Sequence, residues 1–414
     1  MRVLGIIAEY NPFHNGHLYH LRESVRIIEP DFAVCVMSGN FTQRGEPAMA
    51  DKWFRAAAAI ENGIDLVIEL PFVFACNNAE FFAAGAVDIL NRLGCVTHLS
   101  FGSESGDLSS LTKAAECLSC EDDELKAGIK EFADHGLSFP KARYEAVKKY
   151  KGDSVSEVLK SANNILAVEY LKQLLRTESK IEPVTVKRYG TGYHDKGSFE
   201  DIASATAIRH KLKNSGDKPQ EAIFKEVSEF IPVPTFQVLN HINKGVNVTF
   251  NDFYRLLVYR ILTSEAEHLG TILSATEGLE NRMKKAASES VDMESLIQAV
   301  LSKRYTNTRI QRLLTHTLIG LDKESFREIW ENRINYARVL GFSKKGAALL
   351  KRIKKEERSS IPVLTNINRE VSRDSSEWKL MKYDITASDI YNLTAYGEIY
   401  THSDFVMKPY GKFD

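Results

Sequence analysis

The sequence predicts an α/β protein: a parallel-sheet domain over residues 1–217, then a mainly α-helical domain over 218–414. Short apolar runs alternate with helical patterns through the first half, the rhythm of a parallel sheet covered on both faces. From about Lys218 apolar residues recur at three-to-four spacing instead. The length of 414 residues exceeds what one core usually serves.

Taken in order, VLGIIA (3–8), FAVCVMSG (32–39), DLVIELP (65–71) and VTHLSFGSE (96–104) read as buried strands. HLYHLRESVRII (17–28), KWFRAAAAIENG (52–63) and AEFFAAGAVDILNRLG (79–94) read as the helices between them. A helix-rich stretch from Asp107 to Thr177 leads to one more strand, PVTVKRYG (183–190), and IASATAIRHKL (202–212) closes the unit. In the second half the stretches 250–270, 276–290, 293–305, 308–321 and 325–342 all read as helices. IPVLTNI (361–367) is strand-like, and DIYNLTAYG (389–397) has no clear assignment.

Composition is that of a soluble globular protein, 43% hydrophobic and 26% charged, with a formal net charge of -1. No leader pattern and no apolar run near eighteen residues is present, so a cytoplasmic chain without membrane or DNA partners is expected. Of five cysteines, Cys117 and Cys120 form a C-x-x-C, but no second pair follows at zinc-finger spacing. Ordinary helix positions are expected for them.

Ligands of open parallel sheets sit beyond the C-terminal strand ends. NPFHNGH, SGNFTQRGEP, FGSESG and KRYGTGYHD all follow strands directly and are expected to share one edge. In the first, Gly16 permits close approach of backbone to a ligand, and a helix starting near Asn15 would aim unpaired N–H groups at an anion. His14 and His17, three apart, can both donate to phosphate oxygens. The alternative is a metal pair or solvated helix-start residues.

N-P-F-H-N-G-H resembles the (H/T)-x-G-H signature of the nucleotidyltransferase superfamily. Ile202 to Arg209 is similar to its Ser-rich second motif, with Ala205 where a second hydroxyl is usual. EYNPFHNGHLYH, MSGNFTQRGEPA, DKWFRA, DLVIELP, FGSE, SANNILAVEYL, KRYGTGYHD and SATAIR, in this order, resemble the bacterial tRNA(Met) cytidine acetate ligases over nearly the whole chain. The resemblance implies a Rossmann-like nucleotidyltransferase (HxGH) fold and ATP-dependent ligation of acetate to the wobble cytidine of elongator tRNA(Met), through an acetyl-adenylate, with Mg²⁺ accompanying the nucleotide.

By this resemblance His14 and His17 act on the α-phosphate and pyrophosphate, and the segment from Ile7 through Asn11, Phe13 and Gly16 to His20 lines the nucleotide site. Gly102, Asn163 and Arg188 complete it, while Ser204, Thr206 and Arg209 close on the β/γ end. A tight turn, a helix N-cap and a surface charge are the plain readings of Gly102, Asn163 and Arg188. Ser38–Pro47 reads as a loop over the acetate or target base, with Arg44 holding an anion and Phe41 stacking on cytosine; Arg44 could equally pair with Glu46 or Glu69. Glu9, Glu104, His194 and Asp195 are unranked candidates for a general base.

Between Lys303 and Arg358 fifteen basic residues face six acidic ones. Such a segment is a candidate phosphate-backbone track, or else a solvated helix face. Lys303, Arg304, Arg309, Arg312, Lys344, Lys345, Lys351 and Arg352 are its densest parts. The competing whole-protein readings are an adenylyltransferase for a small metabolite, a non-catalytic RNA-binding protein, and a metal hydrolase using His14, His17 and His20.

Overall fold

The computed structural model describes residues 1–119, 122–188, 203–213, 227–240, 247–276 and 278–413. Five parallel strands form the heart of one sheet: β1 (Val3–Ala8), β2 (Phe32–Ser38), β3 (Leu66–Leu70), β4 (His98–Ser103) and β5 (Glu182–Lys187). Their spatial order is β5-β4-β1-β2-β3, so the chain builds outward from β1 in one direction and then returns to its other side at β4. The crevice between β1 and β4 is therefore the topological switch point, where open α/β sheets bind ligands.

The expected boundary near residue 217 does not divide this sheet. β6 (Ala337–Ser343) runs antiparallel to β3, and both β7 (Val363–Leu364) and β8 (Tyr410–Lys412) pair with its far side. The stretch 325–342, read from sequence as one helix, is helical only over Lys323–Asn332. Arg333 takes a positive φ of 62° that ends the helix, and the buried ARVLG run joins the open edge of β3. Both faces of β6 are covered, so its apolar residues carry no alternation to separate strand from helix.

A buried ion cluster fastens this added edge. Lys52 Nζ lies 2.8 Å from Glu69 and 2.9 Å from Asp404, and Arg338 Nη1 lies 2.9 Å from Asp404 and 3.4 Å from Glu69. All four side chains are at most 3% exposed. The cluster joins β3, β6, the start of helix Lys52–Glu61 and the C-terminal segment.

The remaining helices follow the periodic pattern. Helices from Leu108 to Arg176 pack against β4 and helix Ala79–Arg92, and those between Tyr254 and Ile319 form the helical half. The unassigned 389–397 stretch belongs to the long helix Ser376–Tyr396. Cys117 is half-buried on helix Leu108–Ser119, whereas Cys120 lies outside the described residues. Among the described residues no helix is long and apolar enough to cross a membrane.

Candidate active site

Helix Asn15–Ile28 begins with two histidines capping each other. Gly16 N–H donates to His14 Nδ1 at 3.0 Å, and His14 N–H donates to His17 Nδ1 at 3.2 Å. A ring nitrogen that accepts cannot carry the proton, so both imidazoles are held as Nε2–H tautomers. The rings stack with centroids 3.8 Å apart, and Tyr10 and Phe13 pack against His17. Burial, and then the neighbouring Arg188 and Arg209, pull His14 down to about 3. Burial, His14 and Arg188 likewise hold His17 well below its ordinary value. Both rings are therefore neutral at physiological pH, and what they can offer a ligand is an oriented N–H dipole rather than a charge.

One expectation is corrected here. The helix start does not present free backbone N–H groups, because Asn15 N–H donates to the Phe230 carbonyl at 2.9 Å and Gly16 N–H to His14. The side chains of Asn11 and Phe13 are also used internally: Asn11 Oδ1 accepts from Met49 N–H at 2.8 Å, and Phe13 is buried against Tyr10. Ile7 is half-buried near the end of β1.

Two arginines, Arg188 and Arg209, stand close enough to the histidines to act on them, and a third, Arg44, lies near Glu9 and Arg209. Arg188, exposed just after β5, lays its side chain against Gly102, where a Cβ would stand 3.1 Å from its Cγ. Arg209, half-buried on helix Ala205–Lys213, donates to the Asn11 carbonyl at 2.8 Å and lies 3.9 Å from Glu46. Arg44 is exposed on the turn after β2, close enough with Arg209 to stabilise the Glu9 carboxylate.

Ser204 caps helix Ala205–Lys213, its Oγ accepting from Ala207 N–H at 3.1 Å, and Thr206 Oγ1 lies 3.4 Å from Arg209. Both hydroxyls are exposed. Ile202, His194 and Asp195 lie outside the described residues.

The Ser38–Pro47 segment is packed into the protein. Phe41 is 1% exposed, its ring against Phe72, Phe253 and Tyr391, so it cannot stack on a base. Gln43 N–H donates to Glu9 Oε1 at 2.7 Å, and Glu69 belongs to the buried ion cluster rather than to Arg44. Helix Asn307–Ile319 holds the turn from outside: Gln311 Nε2 donates to Glu46 at 2.9 Å, Arg312 to the Gln43 carbonyl at 3.4 Å and Thr315 Oγ1 to the Gly45 carbonyl at 2.6 Å. Gly45 has φ +86°, and a Cβ there would lie 2.5 Å from Arg312 N.

Sequence reasoning gave no role to Arg55 or Gln311, and offered Glu46 only as a partner for Arg44, whereas it bonds to Gln311 and lies 3.9 Å from Arg209. Only an internal basic residue in an alanine-rich helix signalled Arg55, and nothing signalled Gln311. Of the base candidates, Glu9 is half-buried with its carboxyl raised, chiefly by desolvation, against Gln43 N–H and nearby arginines. Glu104 instead has both carboxylate oxygens occupied, by Asn163 and Ser161. Asn163 is the second residue of helix Ala162–Arg176, whose cap is Ser161.

The basic segment splits in two. Lys303, Arg304, Arg309 and Arg312 lie at or near the start of helix Asn307–Ile319, which reaches the Arg44 turn; Arg309 stacks 4.4 Å over Tyr305. Lys344, Lys345, Lys351 and Arg352 lie on helix Lys344–Lys355 and are exposed. That helix starts at Asp65, before β3: Ser343 Oγ donates to Asp65 Oδ1 at 2.8 Å, and a Cβ on Gly346 would overlap the Asp65 carbonyl. It therefore lies at the opposite end of the strands from the histidines, and the single track expected from sequence is two patches.

A family model described as HIGH Nucleotidyl Transferase matches residues 1–404. The tRNA(Met) cytidine acetate ligase of Caldanaerobacter subterraneus subsp. tengcongensis is 42% identical over 396 residues, 95% of each chain. That of Acetivibrio thermocellus is 41% identical over 397 residues, 94% of each chain. The crystal structure of Thermotoga maritima TmcAL bound with alpha-thio ATP has a TM-score of 0.90 at 33% identity, with both chains covered in full.

Proposed function

Because the chain belongs to the HIGH nucleotidyl transferase family, and within it to the tRNA(Met) cytidine acetate ligases, we propose that it joins acetate to the wobble cytidine of elongator tRNA(Met) at the expense of ATP, through an acetyl-adenylate. The observation that carries this reading is the neutral, mutually capped His14–His17 pair at the β1–β4 switch point, with Arg188 and Arg209 beside it.

Acetate is a poor acyl donor, and attack of its oxygen on the α-phosphorus makes it a mixed anhydride while pyrophosphate leaves. His14 and His17 offer Nε2–H donors to the oxygens on which charge develops, without an imidazolium that water would have to solvate. Arg188 and Arg209 balance the triphosphate, and Ser204 and Thr206 donate toward its β/γ end. Arg44, near Glu9 and Arg209, is assigned to the acetate or leaving anion. In the second step the cytidine N4 amine attacks the acyl carbon, its proton departs and AMP leaves. Glu9, with one carboxylate oxygen bound to Gln43 N–H, is the described carboxylate best placed to take that proton.

Among the described residues no three His, Cys, Asp or Glu stand together as a metal cage. A Mg²⁺ ion arriving with the nucleotide would be held by phosphate oxygens and water, and would offset phosphate charge there.

For the tRNA, the Lys303, Arg304, Arg309 and Arg312 patch is the favoured contact, since its helix reaches the Arg44 turn. Lys344, Lys345, Lys351 and Arg352 are assigned to a more distant part of the same RNA.

The test is acetate-dependent release of AMP and pyrophosphate from ATP, with and without tRNA, on the wild type and on His17→Ala, followed by nucleoside analysis of the tRNA. Acetylated cytidine that vanishes in the variant supports the reading. Turnover indifferent to acetate, or to His17, overturns it.

A further inference from the structure

Glu104, one residue past the end of β4, is joined to three residues at the start of helix Ala162–Arg176. Its Oε1 accepts from Asn163 Nδ2 at 2.6 Å, its Oε2 accepts from Ser161 Oγ at 2.7 Å, and its own N–H donates to Asn164 Oδ1 at 3.0 Å. A carboxylate only accepts, so the Asn163 carboxamide must turn its NH₂ toward Glu104. Its Oδ1 then faces away as an acceptor, and no described residue donates to it. Asn163 is half-buried, beside the strand that carries Gly102 and pairs with β1.

We infer that Glu104 is a positioning residue for the nucleotide: it fixes Asn163 as a hydrogen-bond acceptor for a donor on the nucleoside of ATP, either a ribose hydroxyl or the adenine amine. This rests on the reading above that Asn163 lines the nucleotide site. A carboxamide free to rotate presents its NH₂ as readily as its oxygen. Glu104 removes that ambiguity before the ligand arrives, and with it part of the ordering cost of binding.

The test is a reciprocal swap read as KM for ATP against kcat for AMP release. Glu104→Ala raises the ATP KM about tenfold and leaves kcat within about twofold. Asn163→Asp, which sets two carboxylates face to face, raises it further. Glu104→Gln placed on Asn163→Asp brings it back, because the glutamine NH₂ donates to one aspartate oxygen and leaves the other as the acceptor. Glu104→Ala added to Asn163→Ala has no further effect. Comparing 2′-deoxy-ATP with purine riboside triphosphate separates the two donors: the analogue lacking the recognised group is the one whose KM the Asn163→Ala variant no longer distinguishes from that of ATP.

If Asn163→Ala weakens ATP while Glu104→Ala does not, or if the swap fails to rescue, the positioning role is wrong. If Asn163→Ala itself leaves the ATP KM unchanged, the placement of Asn163 in the nucleotide site is what fails. Should Glu104→Ala not fold, the swap pair carries the same test.

Discussion

The guanidinium of Arg55 donates to the backbone carbonyl of Glu9 at 2.7 Å. The same side chain, 2% exposed, also donates to the carbonyls of Ala50 at 2.9 Å, Ser38 at 3.1 Å and Gly39. One planar fork thus ties the exit of β1 to the exit of β2. Arg55→Met leaves these acceptors buried and unpaired and is expected to cost roughly 3–5 kcal/mol in denaturant unfolding. Arg55→Lys keeps a charge but lacks the fork, and is expected to fold while losing at least about tenfold in AMP release.

Acid destabilises the histidine cap. His14 titrates at about 3 and His20 at about 4 in the folded chain, both chiefly because of burial, against about 6.5 when unfolded. Above pH 6.5 both states are neutral and nothing is lost. Below it the unfolded chain binds protons that the folded chain refuses, so stability falls with pH until the folded values are reached. For His14 the loss at pH 5 is about 2 kcal/mol. Urea unfolding from pH 7.5 to 4.5 reads this slope, and His14→Asn, which keeps a capping acceptor, flattens it.

The Arg44 turn depends on a glycine at its contact with the helical half. Gly45→Ala meets both an unfavourable positive φ and the Arg312 backbone. It is expected to lower Tm by several degrees and to reduce acetate-dependent turnover at least about fivefold, with a smaller effect on ATP affinity.

The two basic patches are expected to behave differently. Reversing Lys303, Arg304 and Arg309 to Glu weakens tRNA binding by about tenfold or more at moderate salt and lowers its salt slope. Reversing Lys344, Lys345 and Lys351 gives a smaller loss, because that helix lies at the far end of the strands. Filter binding across a salt series compares them directly.

Lys52→Met strips one of the two cations that Glu69 and Asp404 share in a fully buried setting, leaving them to Arg338 alone. Breaking one partner of such a cluster costs about 3–5 kcal/mol, measurable as a lowered urea midpoint. A hydrophobic replacement of the whole group is expected to restore much of it, since burying the charges is itself unfavourable.

Much of the first half was legible because its elements follow one another with little dependence on distant chain. β1 to β5 announce themselves as short apolar runs, and the candidate-site segments were picked out because they sit directly after those strands. What escaped notice depends on contacts across the chain. β6 reads as helix because its neighbours in sequence are helical, and only the open edge of β3 makes it a strand. Phe41 reads as a stacking platform because nothing local reveals that Phe253 and Tyr391 enclose it. The basic run reads as one track because Gly346, which seats its second half against Asp65, looks like any other glycine in a helix.

The late strand β6 has a consequence for synthesis. β3, all five residues buried in the finished sheet, leaves the ribosome roughly 270 residues before the strand that covers its edge. At about 5–20 residues per second that interval is on the order of 15–55 seconds. During it a short apolar edge lies open to pairing with other chains. A fragment ending near residue 217 would keep that edge open permanently, so it is expected to aggregate when made alone and to be rescued by co-expression of the remainder.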